Sequence, residues 1–244
     1  MPNPDKAETA LVNGKHLYYE IYGEGSPLLF LHGYGLSSIA WHSYVDDYIE
    51  DYQVILIDLT GNGRSDPFQE TLSIRSVGED LQALVHYLKL EKLQAIGFSY
   101  GGDVLFQLAL LEPQLVESMV TIGALGSWDV NDFPNLIKMF TREYVDLTEY
   151  HSGDEQLDAL FAQFPNYTVT LSDEELQSIK TNVLLVMGDD DPVMTLEEAA
   201  RVRKHLPHSD LWVLPNVSDS AHTGQNKPDF VRISKAFLAR HKTA

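Results

Sequence analysis

With 244 residues, 44% of them hydrophobic, the chain suffices for one large domain, or a domain with a small insertion, around a sizeable core. Its formal net charge of −19 argues against nucleic acid and anionic membranes as partners, and the lack of cysteine excludes a disulfide framework, thiol chemistry and cysteine metal sites. Met1-Pro2-Asn3-Pro4-Asp5-Lys6 lacks the basic-then-apolar pattern of a signal peptide and no run reaches the ~18 apolar residues of a membrane span, so a soluble cytoplasmic protein is expected.

In chain order, Thr9 to Tyr22 reads as a hairpin turning at Asn13-Gly14, a strong short-range hairpin signal. Leu28–Leu31 reads as a buried strand, Ser37 to Tyr48 as a helix and Gln53–Ile57 as a strand. Ser73 to Leu88 is a helix with Ile74, Val77, Leu81, Leu84, Val85 and Leu88 on one face. Leu93–Phe98 is a strand leading into a glycine-rich turn and a helix, and Val116–Ile122 is a further strand. From Ala124 to Lys180 the pattern changes to helical stretches near Asp132–Thr148, Asp154–Phe164 and Ser172–Ile179, with Ser172 and Glu175 at capping-box spacing. This segment, 124–180, reads as a helical insertion into a core made of 1–123 and 181–244, the alternative being ordinary crossover helices. Asn182–Met187, Thr195–Leu206 and Leu211–Leu214 resume the strand–helix–strand alternation, and Pro228–Ala239 is the closing helix. Strands alternating with helices imply a mostly parallel sheet covered on both faces.

The most informative stretch is Gly97-Phe98-Ser99-Tyr100-Gly101-Gly102, between the buried strand and the apolar helix that follows. A serine on a tight strand-to-helix turn presents its hydroxyl above the sheet edge, and the helix N-terminus behind it offers free N–H groups to developing negative charge. Such a nucleophile needs a base, and the base needs an orienting acid. Asp189-Asp190-Asp191 follows the strand ending at Gly188, and His222 follows the strand Leu211–Leu214, so acid and base come after the serine in chain order. The structural alternatives are a serine tolerating a tight turn and an exposed loop histidine.

With these points in place, the chain resembles the α/β-hydrolase-fold superfamily, as a carboxylesterase-like serine hydrolase with a small helical cap. His32-Gly33-Tyr34-Gly35 resembles the family's oxyanion loop, Trp41 follows it, and Asp58-Leu59-Thr60-Gly61-Asn62-Gly63-Arg64-Ser65 resembles the turn after the next strand. The likeness covers about residues 8–122 and 180–242, with the family's variable cap between. It implies an eight-stranded, mostly parallel sheet with helices on both faces. It implies Ser99 as nucleophile, His222 as general base and, through Gly-x-x-Asp spacing from Gly188, Asp191 as the orienting acid. Backbone N–H groups of Tyr34 and Tyr100 are the implied oxyanion donors, the alternative being an ordinary glycine turn. One departure is Ala221-His222, where the family usually has Gly-His.

No cofactor or metal is implied, and the expected partner is a small ester-like molecule. Carboxylesterase action on small soluble esters is the first expectation; C–C bond hydrolase, lactonase, thioesterase and cofactor-free perhydrolase use the same triad. Halide- and epoxide-cleaving members carry Asp where Ser99 stands, which disfavours them. A ligand-sensing protein without turnover is the alternative of another class. Asp129 is a reserve for the acid, His32 is expected to brace the oxyanion loop, and His205 and His208 are a poor metal pair with Pro207 between them. Trp128, Phe133, Met139, Phe140, Phe161 and Phe164 are expected to divide between lining a pocket and packing the cap onto the core.

Overall fold

A computed structural model describes residues 2–151 and 153–242. The amino-terminal strands β1 (Lys6–Val12) and β2 (Lys15–Tyr22) form the hairpin, with positive φ at both Asn13 (49°) and Gly14 (79°), as a tight two-residue turn between twisted strands requires. Strand β3 (Pro27–Leu31) is buried from Leu28 to Leu31, which fits a strand covered on both faces. The segment expected as one helix, Ser37 to Tyr48, is a 3₁₀ helix over Ser38–Tyr44 followed by one α turn, α1 (Val45–Tyr48). The buried side chains explain the change. Trp41 and Tyr44 are three residues apart, which suits a 3₁₀ turn, and Tyr44 and Tyr48 are four apart, which suits an α turn.

Strand β4 (Gln53–Ile57) is followed by α2 (Ile74–Tyr87), whose start is capped by the Ser73 hydroxyl accepting from the Ser76 N–H. Strand β5 (Leu93–Phe98), α3 (Tyr100–Leu111) and β6 (Val116–Ile122) follow at the expected places. The excursion after β6 holds β7 (Ser127–Asp129), α4 (Pro134–Met139), α5 (Asp154–Gln163), β8 (Thr168–Thr170) and α6 (Asp173–Ser178).

Two features of this excursion differ from expectation. Strands β7 and β8 pair antiparallel, with Trp128 opposite Val169, where no buried strand run was legible. The helix expected over Asp132–Thr148 is α4 alone. Pro134 starts it, and it stops at Phe140, whose ring packs 4.1 Å from Phe164 and 5.2 Å from Phe161. Burying that aromatic cluster outweighs helical propensity in the residues beyond.

Strand β9 (Asn182–Gly188), α7 (Leu196–His205), β10 (Ser209–Leu214) and α8 (Lys227–Arg240) complete the chain. The main sheet has eight strands in the order β1-β2-β4-β3-β5-β6-β9-β10. β2 is antiparallel to β1 and to β4, and the remaining neighbours are parallel. Apolar clusters fill both faces, one beneath α2, α3 and α7 and the other beneath Trp41, α1 and α8. The order reverses between β3 and β5, so the loops leaving these two strands open a crevice at their carboxyl ends, where open α/β sheets take ligands. None of the described helices is long and apolar enough to cross a membrane.

Candidate active site

Ser99 sits in that crevice as the N-cap of α3, with φ 48° and ψ −116°. A non-glycine residue there is strained, and the surroundings hold it. Its N–H donates to the Ile122 carbonyl at 2.7 Å, and its carbonyl accepts from the N–H groups of Gly102 and Asp103. Gly97 and Gly101 make the turn possible. A Cβ on Gly97 would meet the Gly101 backbone at 2.7 Å, and one on Gly101 would meet the Leu31 carbonyl oxygen at 2.5 Å.

The loop after β3 is held from behind by His32. Its Nδ1 donates to the Gly33 carbonyl at 2.8 Å, and its Nε2 accepts the Leu59 N–H at 3.0 Å. Two such bonds fit only the neutral ring, and burial pushes the His32 pKa down. In a trans peptide C=O and N–H point opposite ways, so anchoring the Gly33 carbonyl aims the Tyr34 N–H away from His32. The Tyr34 hydroxyl donates to the Leu160 carbonyl at 2.7 Å, and the Gly35 carbonyl accepts from His151 Nε2 at 2.8 Å. His151 Nδ1 also accepts the Gly63 N–H at 3.1 Å, so the excursion grips both core loops through a neutral imidazole. Sequence reading missed His151, which carries no motif.

Ser99, Asp191 and Tyr34 line one cavity of about 270 Å³. Its remaining walls include Trp128, Phe140 and Phe164, whereas Phe133 packs on Trp128, Phe161 packs on Phe140, and Met139 is exposed. The Tyr100 side chain lies beneath the cavity, edge-on to Tyr34 and Tyr167. Asp191 Oδ1 accepts the N–H groups of Val193 and Met194, both at 2.9 Å. Its Oδ2 is buried without a partner among the described residues. Burial, helped by the nearby Asp219 carboxylate, pushes the Asp191 pKa up.

His222 opens onto an adjoining cavity of about 220 Å³, with Phe98 on the wall of both. Its ring centroid lies 4.6 Å from that of Phe98 and 5.1 Å from that of Trp41, and its carbonyl accepts the Tyr44 hydroxyl at 2.7 Å. Burial pushes the imidazole pKa down to about 4, and Nδ1 has no partner among the described residues. Ser99 and Asp191 thus share one cavity, and His222 stands across Phe98. The two orphaned atoms, an aspartate oxygen and a ring nitrogen, are a complementary pair, and one hydrogen bond between them would satisfy both.

Three further carboxylates stand apart. Asp189 is exposed in the loop after β9, and its carboxylate accepts the Asn216 N–H at 2.6 Å and fixes the turn after β10. Asp129 accepts from the backbone and side chain of Asn131 and caps a 3₁₀ turn. Asp103, unrecognised in the sequence, is 1% exposed, and its oxygens accept the Tyr167 hydroxyl at 2.7 Å and the Gly126 N–H at 3.1 Å. Its signal was available: a lone charge in an apolar helix, one turn after Ser99.

Burial pushes the Asp103 pKa up to about 7, against the two hydrogen bonds, which favour the carboxylate. A carboxyl raised in the folded state binds its proton more tightly folded than unfolded. The stability it contributes is therefore present in acid and lost as pH rises through about 7. The melting temperature of the Asp103→Asn variant should accordingly fall less than that of the wild type between about pH 6 and about pH 8. Equal slopes in scanning calorimetry would contradict the assignment.

The family model for the alpha/beta hydrolase fold matches residues 26–155. Among curated proteins, a soluble epoxide hydrolase of Corynebacterium sp. (strain C12) is 32% identical over 129 residues, 53% of this chain and 42% of the relative. A pimeloyl-[acyl-carrier protein] methyl ester esterase of Yersinia enterocolitica is 35% identical over 121 residues, 48% of this chain and 44% of the relative. The chain spans less than half the length of these curated relatives. Among solved structures, the meta-cleavage product hydrolase of Pseudomonas fluorescens IP01 superposes with a TM-score of 0.81 at 22% identity, covering 98% of this chain and 99% of that one.

Proposed function

Because the chain belongs to the alpha/beta hydrolase family, we propose that it is a serine hydrolase acting on small soluble carboxylic esters. Ser99 attacks the carbonyl carbon and gives its proton to His222, Asp191 orients His222 and stabilises its charged form, and the N–H groups of Tyr34 and Tyr100 hold the oxyanion. His222 then returns the proton to the leaving alcohol, and water releases the acyl group from Ser99. The residues 124–180 form the cap over this site. The observation that carries the reading is Ser99 itself, on a strained turn at a cavity that Asp191 also lines, with the Asp191 Oδ2 buried and without a partner among the described residues. Serine at this position also argues against the chemistry named for the epoxide hydrolase relative, since the resemblance implies aspartate there.

One observation favours a second reading, a ligand sensor without turnover: Ser99 and His222 open onto different cavities. Turnover measured against ligand-induced stabilisation separates the two. The primary test is a screen of esters, lactones and thioesters, with Ser99→Ala as control. Cavity size sets the expected optimum. A cavity of ~150 Å³ holds a benzene ring, so about 270 Å³ suits a compact acyl or aryl group and not a long chain. Across acyl chains of about two to sixteen carbons, kcat/KM should peak at the short end, with no jump in rate when substrate forms micelles. A long-chain optimum or interfacial activation would make residues 124–180 a mobile lid over a lipid-binding surface.

A further inference from the structure

The loop after β3 makes a tight turn from Gly33 to Leu36, closed by the Leu36 N–H donating to the Gly33 carbonyl at 3.0 Å. Gly35 is its third residue, buried and with φ 78°, a position that such a turn gives to glycine. The Gly35 N–H donates to Asn62 Oδ1 at 3.0 Å, and the Gly35 carbonyl accepts from His151 Nε2 at 2.8 Å. A ring of contacts closes through Gly63, the residue after Asn62, whose N–H donates to His151 Nδ1 at 3.1 Å. Leu147 and Phe140 cover Gly35 from the excursion, where an added Cβ would meet them at 2.9 and 3.3 Å.

We propose that His151, together with Asn62, is a positioning residue that aims the Tyr34 N–H at the oxyanion. A peptide unit is rigid and trans, so its C=O and N–H point opposite ways. Holding the Gly35 carbonyl toward His151 therefore aims the Leu36 N–H of the same unit at the Gly33 carbonyl. That carbonyl belongs to the unit that carries the Tyr34 N–H, so its direction sets where this N–H points. Asn62 fixes the unit between them through the Gly35 N–H. The imidazole must supply one donor and one acceptor here, which only its neutral form does. A donor aimed in advance needs no reorganisation as charge develops on the carbonyl oxygen. His32 braces the Gly33 carbonyl from the core, whereas His151 acts on it from the excursion, so the excursion helps to form the oxyanion site. This rests on the reading of Ser99 as nucleophile and the Tyr34 N–H as oxyanion donor.

The test sets kcat and KM on a short ester beside inhibition by an aryl trifluoromethyl ketone. Ser99 Oγ adds to the ketone carbonyl carbon and its proton passes to His222, so the adduct carries its negative charge on the oxygen that the Tyr34 N–H holds. His151→Phe keeps a ring but neither hydrogen bond. Its kcat should fall about 10- to 100-fold, between the worth of one hydrogen bond and that of an oxyanion donor; the inhibition constant should rise by a similar factor, with KM unchanged. Asn62→Ala, which frees the Gly35 N–H, should move the same two quantities the same way, and it carries the test if His151→Phe does not fold. His151→Gln, whose amide has a donor and an acceptor, should bring both back to within about 5-fold of wild type. Wild-type kcat in His151→Phe or Asn62→Ala overturns the proposal. So does a KM rise without a kcat change, and so does a kcat loss that leaves the inhibition constant unmoved, because the lost contact then acts elsewhere than at the oxyanion. A His151→Gln variant as slow as His151→Phe overturns it too, since ring shape and not the two hydrogen bonds then matters. A wild type that neither turns over the ester nor binds the ketone overturns the hydrolase reading and this one together, whereas an active wild type with unaffected variants overturns this one alone.

Discussion

Ester turnover should fall by at least ~10³-fold in Ser99→Ala, with little change in melting temperature. The hydroxyl is the only group the proposed mechanism uses to form the acyl-enzyme, and the residual rate reflects binding and the oxyanion donors alone. Folding should tolerate the change, because the turn is held by backbone contacts that alanine keeps: the N–H bond to the Ile122 carbonyl and the carbonyl bonds to Gly102 and Asp103. A matching loss of stability would mean that the lost activity reports misfolding. Unchanged turnover would remove Ser99 from the mechanism.

The second large effect separates three adjacent aspartates. Asp191→Asn should cost at least ~10²-fold in kcat, because the imidazole loses the carboxylate that sets its tautomer and stabilises its charged form. Asparagine would still accept the Val193 and Met194 N–H groups through its oxygen, so the loop should keep its shape. Asp189→Asn likewise keeps an acceptor for the Asn216 N–H, and Asp190 is exposed, so each should cost less than ~10-fold. Steady-state kinetics on the three variants gives the ranking. If Asp189 or Asp190 proves the most sensitive, the acid lies one or two positions earlier than Gly-x-x-Asp spacing implies.

The core of the fold was legible because burial writes itself into short apolar runs. Leu28–Leu31, Gln53–Ile57 and Val116–Ile122 are strands where their composition places them, and Ser73 caps the helix it precedes. The Ser99 turn was legible for a related reason. Gly97 and Gly101 stand where any side chain would strike backbone, so the geometry leaves a local mark on the sequence.

The excursion was less legible, since its shape comes from contacts distant in the chain. Phe140 leaves the helical path to pack on Phe164, and the β7–β8 ribbon joins residues about forty apart, with only three residues in each strand. Within the site, motif spacing led to Ser99, Asp191 and His222. It could not show that Phe98 stands between two cavities, or that Asp103 and Tyr167, sixty-four residues apart, meet beside Ser99. Long-range polar pairs of this kind have no periodicity and no fixed spacing. Their trace is a charge where an apolar residue belongs, as at Asp103.

The most direct measurement is to treat the wild-type protein with a fluorophosphonate, weigh the intact chain and map the adduct by peptide mass spectrometry. The account predicts a single adduct on the peptide containing Ser99, lost in Ser99→Ala and slowed in His222→Ala, because only a serine with a working base attacks phosphorus at a useful rate. An adduct on another residue, or an unmodified protein after exhaustive treatment, would contradict it.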